Sequence, residues 1–123
     1  FVTSTRGDGV IVASPTGSTA YALSAGGPIL HPALPALVVV PICPHTFSNR
    51  PIVVSSDSVI EVVMVGLEQH QAYVSFDGQS SFSLEDGDHI YVRRADAAIE
   101  LVHPSGRSHF DVLREKLHWG KKL

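Results

Sequence analysis

Side-chain hydroxyl groups are concentrated in one short stretch of the chain, between an apolar run and a pair of glycines. Hydroxyls donate to and accept from ribose, phosphate and amide groups, and a tyrosine ring adds a flat apolar face with a polar tip. Such a set suits the binding of a nucleotide. No lysine follows Gly17, so the stretch is not a P-loop. The residues concerned are Ser14, Thr16, Ser18, Thr19, Tyr21 and Ser24.

The flanking sequence predicts a strand, a turn and a short helix that would position these groups. Residues 10–12 are a β-branched run, which indicates a buried strand. Pro15 cannot donate to a strand ladder, so the strand ends before it. We expect a short helix to begin near Ser18, with Thr16 or Ser18 as N-cap, and to end at the Gly-Gly-Pro of residues 26–28. From composition alone, an ordinary strand–helix connection remains the commoner interpretation of such a turn.

The sequence DGVIVASPTGSTAYALSAGGPI at residues 8–29 resembles the signature of the NAD kinase family. The resemblance continues through LHPALPALVVVPICPHTFSNRPIVV (30–54), FDGQ (76–79), DGDHIYVRRAD (86–96) and LREKLHWGKKL (113–123), and so covers nearly the whole chain. The family's GGDG motif and Asn-Glu pair, which belong to its N-terminal α/β domain, are not in this sequence. The resemblance therefore implies a single domain over residues 1–123 that is similar to the C-terminal NAD-binding domain, with the N-terminal domain absent.

The family's activity implies phosphoryl transfer from ATP, or from inorganic polyphosphate, to the 2′-hydroxyl of the adenosine ribose of NAD. The product is NADP, and Mg²⁺ or another divalent metal accompanies ATP. The general base would be the GGDG aspartate, so we expect this chain to contain no catalytic residue, to bind no metal alone and to be inactive by itself. The implied partners are NAD, the phosphoryl donor, the enzyme's N-terminal domain and further copies of the chain in a homodimer or homotetramer, in the cytoplasm.

The resemblance also assigns binding residues. Asp8 matches an aspartate that reaches a bound NAD, in some members across a subunit boundary. Asp77 matches a position near the nicotinamide side, where members vary. From composition alone, both aspartates stand beside glycine and are typical turn formers. The positions that match the turn and helix around the adenosine and nicotinamide ribosides are Thr16, Thr19, Ala20, Tyr21 and Ser24.

Composition excludes several classes of protein. A formal net charge of -3 argues against nucleic-acid binding, which needs a basic face. Cys43 is the only cysteine, so a disulfide framework and a cysteine metal site are excluded. No two of the 7 histidines have metal-ligand spacing in a predicted element, and the G-x-S-x-G pattern of a serine hydrolase is missing. The longest apolar run, residues 34–43, is too short to span a bilayer.

The spacing of short apolar runs predicts a mainly β fold, namely a distorted β-sandwich with one short helix inserted after the PTGSTAY turn and a C-terminal helix. Residues 59–65 are apolar on both faces except at Glu61, which predicts burial on both faces. Asp77-Gly78 predicts a hairpin turn. The last helix is expected to begin at Ser108 or Asp111 and to run to about Leu117. The remaining strands are expected at 37–42, 52–54, 72–76, 80–84, 89–94 and 98–102.

Two other functions remain open at this point. One is the second domain of a related lipid kinase of the diacylglycerol type, and the other is a non-catalytic β-sandwich that only binds a ligand. The TGSTAY turn and the low basic charge speak against a lipid surface. A GGDG motif and an Asn-Glu pair upstream in the parent reading frame would separate the three interpretations.

Overall fold

The structure is a computed structural model that describes residues 1–67 and 70–121. Within them the chain is mainly β, with a 3-10 turn at Gly17–Thr19 followed by helix α1 (Tyr21–Ser24), and a C-terminal helix α2 (His109–Lys116). None of these helices is long and apolar enough to cross a membrane. The mainly β prediction, with its short inserted helix and its terminal helix, is confirmed. The strands are β1 (Gly9–Ala13), β2 (Ala36–Ile42), β3 (Ile52–Ser55), β4 (Ile60–Val63), β5 (Ala72–Phe76), β6 (Ser80–Leu84) and β7 (His89–Val92).

The described chain divides into two compact units. The first unit comprises Phe1–Ser56 together with the segment from Ala95 onward, and the second comprises Asp57–Arg94. The predicted sandwich and the predicted single domain stay predictions.

The first unit is built on the antiparallel sheet β1-β2-β3, with β2 in the middle. Ile11 pairs with Val40 and Ala13 with Val38, so alternation along the strands places these four side chains on one face. Val38 and Val40 are fully buried there. The buried Ala22 of α1 and the buried Leu30 pack onto the same face and complete the core. This packing fixes α1 against β2.

Helix α2 begins with a capping box. Ser108 has extended backbone, and its Oγ accepts a hydrogen bond from the Asp111 N–H at 3.2 Å. The Asp111 carboxylate accepts in return from the Ser108 N–H at 2.8 Å. The hydrogen bond from the Ser108 backbone lowers the pKa of Asp111, and the Ser108 hydroxyl and Arg114 lower it further. The predicted start of this helix at Ser108 is confirmed.

An apolar groove separates α2 from the segment that follows α1. The groove has a volume of about 230 Å³. At one wall the rings of His31 and His109 meet edge to face, with their centroids 5.1 Å apart. Ile29 and His31, which flank Leu30, thus line the groove beside α2. The lining residues are Ile29, His31, His109, Phe110, Leu113 and Trp119.

The second unit contains two antiparallel ribbons, β4 with β7 and β5 with β6. In β4, Ile60 and Val62 are half-buried. Val59, Val63 and Val65, which belong to the opposite face, are exposed. The predicted burial of residues 59–65 on both faces is therefore wrong for this structure, because the side chains on one face of β4 remain exposed.

The strand predicted at residues 98–102 is also wrong. The segment has no regular structure, and Ile99, Leu101 and Val102 are exposed. An apolar run becomes a strand only where a neighbouring edge is free to pair with it, because β-propensity reflects packing on a sheet more than the backbone itself. The seven other predicted strands are present, with boundaries that differ by a few residues.

Candidate functional site

The chain turns sharply at the end of β1, and backbone hydrogen bonds close the turn. The Ser18 N–H donates to the carbonyl oxygens of Ser14, at 2.9 Å, and Pro15, at 3.2 Å. The Ala20 N–H donates to the Gly17 carbonyl oxygen at 3.1 Å. These bonds span three or four residues each, so the local sequence suffices to form the turn.

The hydroxyl that caps the turn belongs to Ser14. Its Oγ accepts from the Gly17 N–H at 3.3 Å. Thr16 stands at the N-cap position, but its backbone is already helical (φ -61, ψ -46) and its side chain makes no capping bond. A capping side chain requires an extended backbone at its own residue. The predicted N-cap position of Thr16 is confirmed, but the capping hydrogen bond is made by the side chain of Ser14.

Ser18 faces inward. The residue is 0% exposed. Its Oγ donates to the Pro15 carbonyl oxygen at 2.6 Å and accepts from the Leu30 N–H at 3.0 Å. The sequence-based interpretation grouped Ser18 with the ligand-facing hydroxyls and missed this role. A usable signal was the helical spacing of small residues at 18, 22 and 25, which is typical of an inward face.

The opposite side of the turn is exposed, and we call Thr16, Ala20, Tyr21 and Ser24 the outward row. All four are exposed, and Tyr21 is 62% exposed. Ala22, between them, is only 1% exposed. Within residues 1–67 and 70–121, the Tyr21 hydroxyl has no hydrogen-bond partner. The structure thus places four of the predicted residues on one continuous surface.

Thr19 lies beside this row and is half-buried. Its hydroxyl donates to the Thr16 carbonyl oxygen at 3.2 Å. The hydroxyl is therefore already used within the turn, although its oxygen keeps acceptor capacity. In this structure Thr19 supports the backbone of the outward row.

Gly27 lets α1 lie directly on β2. A Cβ at this position would lie 2.7 Å from Cγ2 of Val40 and 2.8 Å from the carbonyl oxygen of Ala22. The Gly27 N–H donates to that same carbonyl oxygen at 2.8 Å. Gly26, with φ 90, ends the helix in the left-handed conformation, as the sequence predicts.

Asp8 lies at the other end of β1 from the turn. Its N–H donates to the Ile42 carbonyl oxygen at 3.0 Å, and its residue surface is exposed. The extended residues that separate Asp8 from Ser14, at roughly 3.3 Å each, span about 20 Å. The structure therefore does not bring Asp8 to the outward row of its own chain.

The residues that follow β2 lie beside the segment that leads into β1. Cys43 has a positive φ of 44, and residues 43–44 lie opposite Gly7. A Cβ on Gly7 would lie 2.9 Å from a backbone carbonyl oxygen of β2. Beyond Cys43 the His45 N–H donates to the Arg6 carbonyl oxygen at 2.8 Å, so the two segments stay side by side.

Asp77 lies in the second unit, in the turn between β5 and β6. Asp77 and Gly78 have φ values of 51 and 67, and the Gln79 N–H donates to the Phe76 carbonyl oxygen at 2.9 Å. Positive φ at both central residues is the pattern of type I′ turns, which match the twist of a hairpin. The predicted hairpin is confirmed, and Asp77 is exposed at its tip.

A second polar cluster lies on the β4–β7 ribbon. Oε1 of Glu61 accepts from the Tyr91 hydroxyl at 2.9 Å and lies 2.7 Å from Nδ1 of His89. The hydrogen bond with His89, followed by that with Tyr91, lowers the pKa of Glu61, and Glu61 raises the pKa of Tyr91. In the part of the chain that the structure describes, no three His, Cys, Asp or Glu side chains are arranged to hold a metal ion.

Comparison with known proteins gives a consistent result. Residues 1–104 match the family model described as ATP-NAD kinase C-terminal domain. The chain is 58% identical to the NAD kinase of Thiobacillus denitrificans, over 100% of this chain and 42% of that protein. It is 50% identical to the NAD kinase of Nitrosococcus oceani with the same coverage. The chain thus spans less than half the length of these relatives.

Two solved structures are also similar. A yeast NADH kinase complexed with NADH superimposes with a TM-score of 0.70 and 44% sequence identity, over 76% of this chain and 26% of that one. An NAD kinase from Archaeoglobus fulgidus in complex with ATP gives a TM-score of 0.65 and 41% identity, over 75% of this chain and 34% of that one.

Proposed function

The chain belongs to the family of ATP-NAD kinase C-terminal domains, and we propose that it forms the NAD-binding part of a longer NAD kinase. That enzyme would transfer a phosphoryl group from ATP, or from inorganic polyphosphate, to the 2′-hydroxyl of the adenosine ribose of NAD. The observation that carries the proposal is the outward row, an exposed surface of hydroxyls and one aromatic ring inside the matched region. The similarity to structures with bound NADH and bound ATP supports it.

In this proposal the outward row binds and orients the dinucleotide. The Tyr21 ring packs along it, and the Tyr21 hydroxyl has no partner in the described protein that a ligand would need to displace. The hydroxyls of Thr16 and Ser24 are likewise exposed and can donate to or accept from ribose and amide oxygens. Phosphoryl transfer depends chiefly on positioning and on neutralising charge, so a rigid binding surface is the contribution this chain would make.

Asp8 would serve a different binding site from the outward row of its own chain. About 20 Å of extended strand separates it from the turn. We therefore assign Asp8 to the site of a neighbouring subunit, in a homodimer or homotetramer. Asp77, in the second unit, is assigned to the nicotinamide side of bound NAD by the family resemblance. Its exposure at the hairpin tip supports this assignment.

The chemical step is assigned to residues outside this sequence. The family's GGDG aspartate, as general base, and its Asn-Glu pair belong to an N-terminal α/β domain, and neither motif is present in residues 1–123. The described residues offer no group of side chains for a metal ion. A divalent metal would accompany the phosphates of ATP. The homo-oligomeric state and the cytoplasmic location implied by the resemblance also remain proposals.

The related lipid kinases and a non-catalytic binding module are not favoured, because the similar proteins are NAD and NADH kinases. The test is NADP formation from NAD by the purified full-length protein, with ATP and with polyphosphate as separate donors and Mg²⁺ present. Diacylglycerol serves as the alternative acceptor. We expect NADP from the full-length protein and none from residues 1–123 alone.

Two results would contradict the proposal in different ways. Failure of the full-length protein to form NADP with either donor would refute the function. Turnover by the 123-residue chain at a comparable rate would refute only the assignment of the general base to another domain.

A further inference from the structure

Ser18 connects two segments that are distant in sequence. Its hydroxyl accepts from the Leu30 N–H at 3.0 Å, twelve residues further along the chain. The same hydroxyl donates to the Pro15 carbonyl oxygen at 2.6 Å. Ser18 is completely buried and Leu30 is 4% exposed, so water cannot replace either bond without opening the core.

The bonds of Ser18 lie directly beneath the outward row. The Pro15 carbonyl oxygen accepts from both the backbone N–H and the hydroxyl of Ser18. Thr16 lies between these two residues in the chain, and Tyr21 follows within one turn. The position of Ser18 therefore determines how the turn is seated on the core, although its own side chain faces away from any ligand bound outside.

Burial alone does not explain this arrangement. Ser56 is also a buried serine of the first unit, at 6% exposure, yet its Oγ has no hydrogen-bond partner. The two serines are thus buried to a similar degree. The Ser18 hydroxyl both donates and accepts a hydrogen bond, whereas the Ser56 hydroxyl does neither. This contrast provides a matched control within the same unit.

We propose that Ser18 is a positioning residue for the dinucleotide-binding turn, which it holds in binding geometry by joining Pro15 to the backbone of Leu30. The proposal rests on the NAD-binding function proposed above. Packing of Gly27 against Val40 anchors α1 to the sheet independently of Ser18. Loss of the Ser18 hydroxyl would therefore shift the turn while α1 stays attached.

The test compares Ser18→Ala with Ser56→Ala in the full-length protein. Because misplacing a binding group by about 1 Å can cost up to a hundredfold in rate, we expect Ser18→Ala to raise the KM for NAD about tenfold to a hundredfold. The KM for ATP should stay unchanged. Ser56→Ala should change neither constant, since it removes a hydroxyl without a partner. Ser18→Cys, which is similar in size but only a weak donor and acceptor, should give an intermediate KM for NAD.

Amide hydrogen exchange provides a readout that does not depend on activity. In Ser18→Ala the amides of residues 16–21 and of Leu30 should exchange faster, while those of β1 and β2 should not change. A lower Tm with an unchanged KM for NAD, or unchanged exchange in the turn, would overturn the proposal. If Ser18→Ala does not fold, Ser18→Cys decides by the same criteria. A wild-type protein that makes no NADP would refute the proposed function, and the exchange comparison would still decide the role of Ser18.

Discussion

Asp8 and Thr16 lie at opposite ends of β1, one before the strand begins at Gly9 and one after it ends at Ala13. Both residues are exposed. A strand is stiff along its axis, so local rearrangement does not bring the two side chains together. If both contact the same part of one NAD molecule, they come from different subunits.

Subunit complementation tests this arrangement. At an NAD concentration well below KM, Asp8→Ala and Tyr21→Ala should each strongly reduce NADP formation in a uniform oligomer. In a mixed dimer, one site receives both substitutions and the other receives neither. Random mixing of equal amounts of the two chains should therefore restore about a quarter of the wild-type activity. The measurement is the rate of NADP formation after co-expression.

The doubly substituted chain mixed with wild type is the control. It places one defect in every site of a mixed dimer, so only wild-type dimers stay active and about a quarter of the activity should remain, against about half if Asp8 acts within its own subunit. No recovery in the first mixture would show that Asp8 acts within its own subunit or does not contact the ligand. A strictly monomeric full-length protein would lead to the same conclusion.

Tyr21→Ala should impair the use of NAD more than the use of ATP. Loss of an aromatic side chain on which a ligand packs typically costs about 1–3 kcal/mol, which corresponds to a rise of roughly five- to a hundredfold in the KM for NAD. Tyr21 is 62% exposed, so the Tm of the free protein should change little. Steady-state kinetics with NAD and ATP varied separately, together with a melting curve, measure both effects. Tyr21→Phe keeps the ring and should retain most of the affinity, whereas a large fall in Tm with an unchanged KM would identify a structural role.

Gly27→Ala should destabilise the first unit. The added methyl group would lie 2.7 Å from Val40 and 2.8 Å from the Ala22 carbonyl oxygen, and overpacking of this kind typically costs about 1–3 kcal/mol. Gly9→Ala is the control, because its methyl group would meet only the end of the Ile42 side chain at 3.4 Å. Urea unfolding of both variants measures the difference. Equal midpoints for the two variants would show that α1 is not held tightly on β2.

The N-terminus of α2 should loosen at acid pH. The hydrogen bond from the Ser108 N–H, with help from the Ser108 hydroxyl and Arg114, lowers the pKa of Asp111. A carboxyl group whose pKa is lower in the folded state stabilises the fold above its unfolded pKa, near 3.9, and that contribution disappears as the pH falls through the folded pKa. An NMR titration of the Ser108 amide from pH 7 to pH 2 would follow this change.

Two variants check the origin of this pH dependence. Asp111→Asn should remove the titration of the Ser108 amide. Ser108→Ala should lower helix stability by about 1 kcal/mol, the usual value for an N-cap. A Ser108 amide that titrates equally in wild type and Asp111→Asn would contradict the capping explanation.

The features that could be predicted from sequence are those determined by a few neighbouring residues. Ser108 with Asp111 forms a capping box from side chains three positions apart, and Asp77-Gly78 supplies the two positive φ values that a tight hairpin needs. The strand before the PTGSTAY turn and the helix after it were predictable, because Pro15 ends the β-branched run and the Gly-Gly pair ends the helix.

The features that could not be predicted depend on partners far away in the sequence. Residues 98–102 have the composition of a strand, but only the rest of the fold decides whether an edge is available to them. The direction of the Ser18 hydroxyl depends on the Leu30 N–H, which the local sequence does not reveal.

The positive φ of Cys43 bears on how the protein can be prepared for spectroscopic labelling. Cys43 is the only cysteine and is exposed, so placing a thiol-reactive probe elsewhere requires its replacement. Its φ of 44 lies in the left-handed region, which costs an ordinary L-residue about 1 kcal/mol and costs glycine nothing. The customary exchange of cysteine for serine would keep that backbone penalty. Glycine at position 43 would remove both the thiol and the strain, and is therefore the better background for a single introduced label.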